Sequence, residues 1–274
     1  ATMYKILVPT DFSPQATQAL GVALQLADKF NGEIYLLHSL EMPLHLARSG
    51  DTGTMPESLY YIKLAEKRFL ELFENLATHI AIQQTIGHGE IYDDINEVVE
   101  KNGIDLIVMG SHGSSGFREM FIGSNTEKVV RTANIPVMVI KNEHTDFEVT
   151  DFVFSTDFSD EYRKPFENAL RFAKSINAYM HLLYINTPKD FKTTAQIDAL
   201  ANRFVKNIVG EEFSINVYND TAVEKGILNF AQSNNAQLIG ISTHGRSGLA
   251  HFFNGSISED IVNHANMPII TFKI

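Results

Sequence analysis

The chain has 274 residues, 44% of them hydrophobic and 20% charged, which suits a globular protein large enough for two domains. Its formal net charge of −11 disfavours a general nucleic-acid binder, since those proteins carry basic patches that neutralise phosphate, and its longest apolar runs have the length of strands rather than of membrane spans. The absence of cysteine excludes disulfides, thiol catalysis and cysteine-based zinc sites. Together with the lack of a leader-like segment before the first strand, it predicts a cytoplasmic protein.

The first half of the chain alternates short apolar runs with amphipathic stretches. The predicted strands are KILVP (5–9), EIYLLHS (33–39), IAIQQTI (80–86), DLIVMG (105–110) and PVMVIK (136–141). Between the first two, alanines and leucines recur at helical spacing. Apolar strands separated by helices indicate a parallel sheet covered on both faces. The predicted fold class is α/β, doubly wound, with five parallel strands in the order 3-2-1-4-5.

The second half of the chain repeats the first. VTDFVFSTDF aligns with MYKILVPTDF at an offset of 146, and AQLIGISTHGRSG aligns with IDLIVMGSHGSSG at an offset of 132. The difference, 146 − 132 = 14 residues, places an insertion in the first half, best located in the loop-like stretch 42–58. We predict two tandem domains, residues 1–144 and 147–274. In the second, Pro165 predicts that the first helix starts late or bends.

An acidic residue and a glycine-rich loop are predicted to share one crevice in each domain. Strand order reverses between strands 1 and 4, and ligands bind at the carboxyl ends of the strands that flank such a reversal. In the first domain, strand 1 ends at Thr10 and Asp11, and strand 4 opens into GSHGSSGFREMFIGSNT (110–126). Asp11 could therefore accept hydrogen bonds from ribose hydroxyls beside the loop.

The loop leads into a predicted helix that favours anions. Ser124 with Glu127 forms a capping-box pattern, and Ser256 with Glu259 repeats it. A helix start offers free N–H groups and a partial positive charge to phosphate. Glycines in the loop would let phosphate oxygens approach the backbone. Glycine after a strand and a capping box also have purely structural uses.

Both halves resemble the universal stress protein family, over nearly the whole chain. The family's nucleotide-binding signature is G-x2-G-x9-G-[ST], and Gly110, Gly113, Gly123 and Ser124 fit it without a gap. The loop matches neither the Walker A pattern nor the dinucleotide-binding GxGxxG, which disfavours a P-loop NTPase or a dehydrogenase. The resemblance implies ATP binding, with Mg²⁺ arriving with the nucleotide instead of occupying a preformed cage.

The resemblance also implies a role for each matching position. Asp11 and Gly110 would meet the ribose, Ser39 and Met109 the adenine, and Gly113, Gly123 and Ser124 the phosphates. Neighbouring positions complete the first predicted set: Thr10, His112, Arg118 and Asn125. In the second domain the predicted positions are Asp157, Ile185, Ser242, Gly245, Gly255 and Ser256. Ser242 replaces the first glycine of the signature and could crowd the ribose. Two alternatives therefore stay open: the second domain binds nucleotide, or it only supports the first domain.

No catalytic residue or metal ligand is assigned from the sequence. His112 and His244 lie at matching positions in the two loops, but no orienting partner for a general base is evident. Arg118 and Arg246 could each give a cation to a phosphate or lie exposed on a loop. A phosphoacceptor receiver domain is disfavoured because Asp220 lacks an acidic pair beside Asp157.

The leading hypothesis is a stress-response protein that binds ATP as a sensor or adaptor, with at most slow hydrolysis. The alternatives are a nucleotide-free interaction module and a true enzyme such as a phosphotransferase. The resemblance implies pairing through the last strands, PVMVIK (136–141) and MPIITFK (267–273), within one chain. Such pairing would cover exposed apolar edges, and a homodimer of whole chains remains a further expectation.

Overall fold

A computed structural model describes residues 4–40, 55–112, 123–243 and 267–274. The strands found there are β1 (Lys5–Pro9), β2 (Glu33–Ser39), β3 (Ile82–Gly87), β4 (Leu106–Gly110), β5 (Val137–Ile140), β6 (Asp151–Ser155), β7 (Tyr179–Asn186), β8 (Phe213–Asn219), β9 (Leu238–Ser242) and β10 (Ile269–Phe272). The helices are α1 (Pro14–Phe30), α2 (Met55–Glu74), α3 (Ile91–Asn102), α4 (Ser124–Thr132), α5 (Arg163–Ser175), α6 (Thr194–Val205) and α7 (Val223–Ser233).

All ten of these strands form one sheet in the order β3-β2-β1-β4-β5-β10-β9-β6-β7-β8. Each half has the predicted order 3-2-1-4-5, with parallel neighbours. The halves meet where β5 and β10 pair antiparallel, with Met138 opposite Ile270. The last strands of the two repeats therefore pair within one chain, as the sequence predicts. The domain boundaries at 144 and 147 stay a prediction.

Helices cover both faces of the sheet because each presents an apolar stripe to it. In α1 the buried stripe includes Ala19, Ala23 and Leu26, Ser13 caps the amino end, and Asn31 ends the helix with a left-handed φ of 52°. The core on one face of the sheet contains Phe69 of the first repeat together with residues of the second repeat. The core on the other face also combines residues of both repeats. The two repeats therefore share continuous cores.

Three local expectations can be compared with the structure. A 3₁₀ turn, Asp160–Tyr162, precedes α5, so the first helix of the second repeat does start late, with Pro165 in its first turn. The capping-box prediction for Ser124 is wrong, because Gly123 is the N-cap of α4 and no side chain caps it. The loop predicted at 42–58 ends earlier, since helix α2 already begins at Met55. Residues 41–54 lie outside the described part, as does the second capping box.

Candidate functional site

Strand β1 ends in a tight turn that fixes Asp11. The Thr10 amide donates to the Leu37 carbonyl at 2.8 Å, and the Thr10 hydroxyl accepts a 3.0 Å hydrogen bond from the Phe12 amide. Asp11 Oδ1 accepts a 3.0 Å hydrogen bond from the Ser13 amide, and the Ser13 side chain caps α1. The half-buried Asp11 is thus held at the carboxyl end of β1, beside the first turn of α1.

The second repeat builds the same turn around Asp157. The Phe158 amide donates to the Thr156 hydroxyl at 2.9 Å, and the Ser159 amide donates to Asp157 Oδ1 at 2.8 Å. Phe12 and Phe158 both have a φ of 62°, which is unfavourable for a bulky side chain. We infer that ring packing holds both backbones in place.

That packing differs between the repeats. The Phe12 ring lies 5.0 Å from the Phe69 ring, centroid to centroid, and 4.7 Å from the His38 ring. The Phe158 ring stacks on Tyr184 at 5.5 Å. His38 Nδ1 lies 2.8 Å from the Thr10 carbonyl oxygen, and because a carbonyl only accepts, this nitrogen carries the proton.

Gly110 connects the first turns of α1 and α4. A Cβ at this position would lie 3.1 Å from the carbonyl carbon and oxygen of Gln15, which is tighter than most Cβ contacts. The Gly110 carbonyl accepts a 2.9 Å hydrogen bond from the buried Thr126 hydroxyl. The close approach to α1 is therefore a structural reason for this glycine, in addition to the predicted contact with a ribose. Sequence reasoning missed Thr126, whose hydroxyl gives no signal without the fold.

Gly123 brings the two ends of the loop together. Its amide donates a 2.7 Å hydrogen bond to the Ser111 carbonyl, and a Cβ would lie 3.2 Å from His112 Cα. This amide is therefore already paired, and a phosphate contact at Gly123 stays a prediction. The amides of the first turn of α4, residues 124–126, lack intrahelical acceptors by helix geometry. Ser124 and Asn125 lie exposed on that turn.

A buried carboxylate supports the end of β2. The Ser39 hydroxyl donates a 2.6 Å hydrogen bond to Asp94 Oδ2, and the Gly89 amide donates to Asp94 Oδ1 at 3.2 Å. Asp94 is only 7% exposed. It lies in the first turn of α3, where a carboxylate is so common that nothing in the sequence singles it out.

Met109, predicted to flank the base, lies at the end of β4, and its place beside the base stays a prediction. Its residue is 6% exposed and packs in the core cluster that includes Leu37 and Ile107. His112 is half-buried, and its Nδ1 lies 3.0 Å from the Ser111 hydroxyl oxygen.

The second repeat has an apolar version of the Ser39 corner. Ile185 and Gly226 stand at the positions of Ser39 and Asp94, and a Cβ on Gly226 would lie 2.7 Å from Ile185 Cγ2. The isoleucine therefore fills the space that the carboxylate occupies in the first repeat. Ser242, which replaces Gly110, is completely buried.

The remaining predicted residues cannot be placed. They lie outside the described residues: Gly113, Arg118, Gly245, Gly255 and Ser256, together with His244 and Arg246. Within the described ranges, no three His, Asp or Glu side chains gather in a way that could hold a metal ion. In those same ranges no helix combines the length and apolar character needed to cross a bilayer.

Comparison with known proteins gives consistent matches over the whole chain. The sequence model of the Universal stress protein family matches residues 3–141 and again 150–273. Universal stress protein MJ0577 of Methanocaldococcus jannaschii is 30% identical over 162 residues, which cover 53% of this chain and 99% of the relative. Universal stress protein Slr1230 of Synechocystis is 23% identical over 296 residues, 99% of this chain and 100% of the relative.

A solved structure extends the likeness to the fold. The crystal structure of a universal stress protein from Archaeoglobus fulgidus aligns with a TM-score of 0.68 at 20% identity, over 98% of each chain. The two segments that match the family contain strands β1–β5 and β6–β10 respectively. The chain therefore belongs to the universal stress protein family, with two family domains in tandem.

Proposed function

We propose that the first repeat binds ATP in the cleft between the carboxyl ends of β1 and β4, and that the protein is a cytoplasmic sensor or adaptor in a stress response. The observation that carries this proposal is a chain of contacts. Asp11 is fixed beside the first turn of α1, Gln15 in that turn faces Gly110, and Gly110 is bonded to Thr126 in the first turn of α4. A carboxylate and a helix amino end therefore border the same cleft.

The chemistry of the two sides suits the two ends of a nucleotide. A carboxylate accepts hydrogen bonds from ribose hydroxyls, while the uncapped amides of α4 and its helix dipole attract phosphate. This local attraction is needed because the chain as a whole carries a net charge of −11. Mg²⁺ would enter with the phosphates, as it commonly does at nucleotide sites.

The first repeat is the better candidate for the site. It matches the family's glycine signature completely, whereas the second has a buried serine at the position of the first glycine. The corner beside β2 is polar in the first repeat, through Ser39 and Asp94, and apolar in the second, through Ile185. We assign no catalytic residue to this cleft, so any hydrolysis of ATP there is slow.

Calorimetric titration with ATP tests the proposal through a matched pair of variants. Asp11→Asn keeps the Oδ1 acceptor for the Ser13 amide but removes the charge, and Asp157→Asn makes the same change in the second repeat. We expect wild-type protein to bind one ATP, and Asp11→Asn to weaken binding about tenfold, since a hydrogen bond to a charged group contributes about 1.5–3 kcal/mol. Asp157→Asn should bind like wild type. No binding of ATP by the wild-type protein would reject the proposal, and two sites of equal strength would reject its restriction to the first repeat.

An interaction module that needs no nucleotide is the second candidate, because α2 presents apolar side chains to solvent. Leu59, Tyr60 and Leu70 are 51%, 62% and 64% exposed. Sedimentation of the wild-type chain and of a Leu59→Ser/Leu70→Ser variant tests this surface. Self-association that this variant abolishes would support an interaction role, and a monomer in both cases would count against self-association through α2.

A further inference from the structure

Three neighbouring strands of the second repeat carry an aspartate, a histidine and a serine on one face of the sheet. His181 of β7 stands opposite Ser214 of β8, and Asp151 lies two residues before Val153, the β6 residue opposite His181. His181 Nδ1 lies 3.1 Å from Ser214 Oγ, and His181 Nε2 lies 2.7 Å from Asp151 Oδ1. The residues are 33 and 30 positions apart, so only the strand register brings them together.

The hydrogen bonds of this group fix the direction of proton donation. Because a carboxylate only accepts, Nε2 of His181 carries the ring proton and donates it to Asp151. Nδ1 is then the acceptor for the Ser214 hydroxyl. Asn216 Nδ2 donates to Ser214 Oγ at 2.8 Å, which leaves the hydroxyl proton directed at the histidine. The histidine is therefore in the tautomer that a general base for Ser214 requires.

The aspartate is itself held in place. Its backbone amide donates to Gln237 Oε1 at 2.8 Å, and the Thr150 hydroxyl donates to Asp151 Oδ2 at 2.9 Å. The hydrogen bond from His181 holds the pKa of Asp151 below its usual value, so the carboxylate stays ionised. The side chains of His181 and Asp151 are 16% and 34% exposed, so the group is neither sealed in the core nor loosely solvated.

The first repeat has no such group at the equivalent positions. By strand register, Lys5, Tyr35 and Gln83 stand where Asp151, His181 and Ser214 stand in the second. There the Lys5 ammonium lies over the Tyr35 ring, 5.9 Å from its centroid. The shared scaffold therefore does not require the polar group. It also lies in the amino-terminal half of its strands, away from the carboxyl ends that border the candidate nucleotide cleft.

We propose that Ser214 is a nucleophile that cleaves small carboxylic esters, with His181 as its general base and Asp151 as the residue that positions His181. Ser214 lies on the outermost strand β8 and is half-buried, so a small acyl group can reach it from the edge of the sheet. Aromatic rings flank His181: Tyr179, 41% exposed, at 5.1 Å and Phe230 at 6.3 Å. These rings offer a surface for the aryl or short acyl part of the ester substrate.

The reaction balances without a cofactor. Ser214 Oγ bonds to the ester carbonyl carbon while its proton passes to His181 Nδ1. The side-chain amide of Asn216 donates to the developing oxyanion in place of its 3.3 Å hydrogen bond to the Leu182 carbonyl. The bond between the carbonyl carbon and the alkoxy oxygen then breaks, and His181 returns the proton to the departing alcohol. Water then attacks the acyl group: its oxygen bonds to the carbon while its proton passes to His181. The bond between that carbon and Ser214 Oγ breaks, His181 returns the proton to Oγ, and the acid is released.

A fluorophosphonate probe tests the nucleophile directly, because the Oγ–P bond forms only as the P–F bond breaks and fluoride leaves. We expect mass spectrometry to place the label on Ser214 of the wild-type protein and Ser214→Ala to abolish it. His181→Gln should label about 100-fold more slowly, which is the lower range of general-base contributions. Ser233→Ala, an exposed serine at the end of α7, is the matched control and should label like wild type.

Turnover of 4-nitrophenyl acetate provides a second measurement. Wild-type protein should hydrolyse it faster than Ser214→Ala, since only the wild-type chain carries the nucleophile. If the probe spares Ser214 in the wild-type protein and the two ester rates are equal, the group is only a structural chain of hydrogen bonds and the proposal is wrong. The labelling site in the wild-type protein decides the question even if a variant fails to fold.

Discussion

The Ser39 hydroxyl donates a 2.6 Å hydrogen bond to the buried Asp94 carboxylate, and the second repeat replaces this pair with Ile185 packed on Gly226. Each pair is complementary in itself, polar with polar and large with small. An aspartate cannot replace Gly226 beside Ile185 without a shift, because a Cβ on Gly226 would lie 2.7 Å from Ile185 Cγ2. The duplicated domain has therefore diverged at this corner by coupled changes.

A double-mutant cycle in the second repeat should show that coupling. Gly226→Asp alone forces a carboxylate against Ile185, and we expect a loss of several kcal/mol in the free energy of unfolding from overpacking and an unpaired charge. Ile185→Ser together with Gly226→Asp recreates the pair of the first repeat. The coupling energy in urea unfolding should favour the double variant by about 1–3 kcal/mol. Additive losses would show that the corner tolerates a carboxylate without its serine.

The hydroxyl of Thr126 should matter for both stability and nucleotide binding. Thr126→Val keeps the shape but removes the hydrogen bond to the Gly110 carbonyl, which leaves a buried acceptor unpaired. We expect a loss of about 1–3 kcal/mol in urea unfolding and weaker ATP binding, because α4 is no longer tied to β4. Thr132→Val on the same helix is the control, since Thr132 bonds to the Lys128 carbonyl at an exposed position. Equal effects of both substitutions would contradict the assigned role.

Acid should weaken the contribution of Asp151 to stability. Its pKa is lower in the folded protein, mainly because His181 donates a hydrogen bond to its carboxylate. The contribution is therefore fully present above the unfolded pKa of about 3.9 and is lost as the pH falls through the lower folded value. Asp151→Asn should cost stability at pH 7, and the gap from wild type should narrow below about pH 4. Asp198→Asn, an exposed change on α6, should give no such pH-dependent gap.

Burial of His144 predicts an acid sensitivity in a different pH range. Burial lowers the pKa of His144 in the folded protein, so the unfolded chain binds a proton more readily. Folding stability should therefore fall as the pH drops through about 6.5, the ordinary histidine pKa. His144→Phe should remove this part of the pH dependence in urea unfolding measured from pH 8 to pH 5.5. An unchanged slope in the variant would show that other groups cause it.

Much of the architecture could be predicted from the sequence because it depends on periodicity. Apolar strands, amphipathic helices and the internal repeat determine a doubly wound sheet, and the resemblance to the universal stress protein family implied the pairing of β5 with β10. Pro165 predicted a late start or a bend in α5 because proline restricts a helix interior, and the late start is what the structure has.

The site was harder to predict because its details depend on contacts between distant segments. Gly123 matches the glycine signature, but only the fold shows that its amide donates to the Ser111 carbonyl. Met109 follows the strand pattern, and only the packing of α3 and α4 shows that its side chain belongs to the core. Strand register and helix docking create the contacts of Asp94 and Thr126 and bring Asp151, His181 and Ser214 together. No local sequence pattern indicates these contacts.

The antiparallel joint between β5 and β10 turns the two repeats head to tail. The carboxyl ends of the strands in the first repeat therefore lie at one edge of the sheet, which we call the first rim. The carboxyl ends of the strands in the second repeat lie at the opposite edge, the far rim. The amino ends of β6, β7 and β8 lie at the first rim, the same edge as the carboxyl ends of β1 and β4. A protein that covered that rim could sense the occupant of one repeat and touch the serine, histidine and aspartate of the other, while the far rim remained free for a different contact.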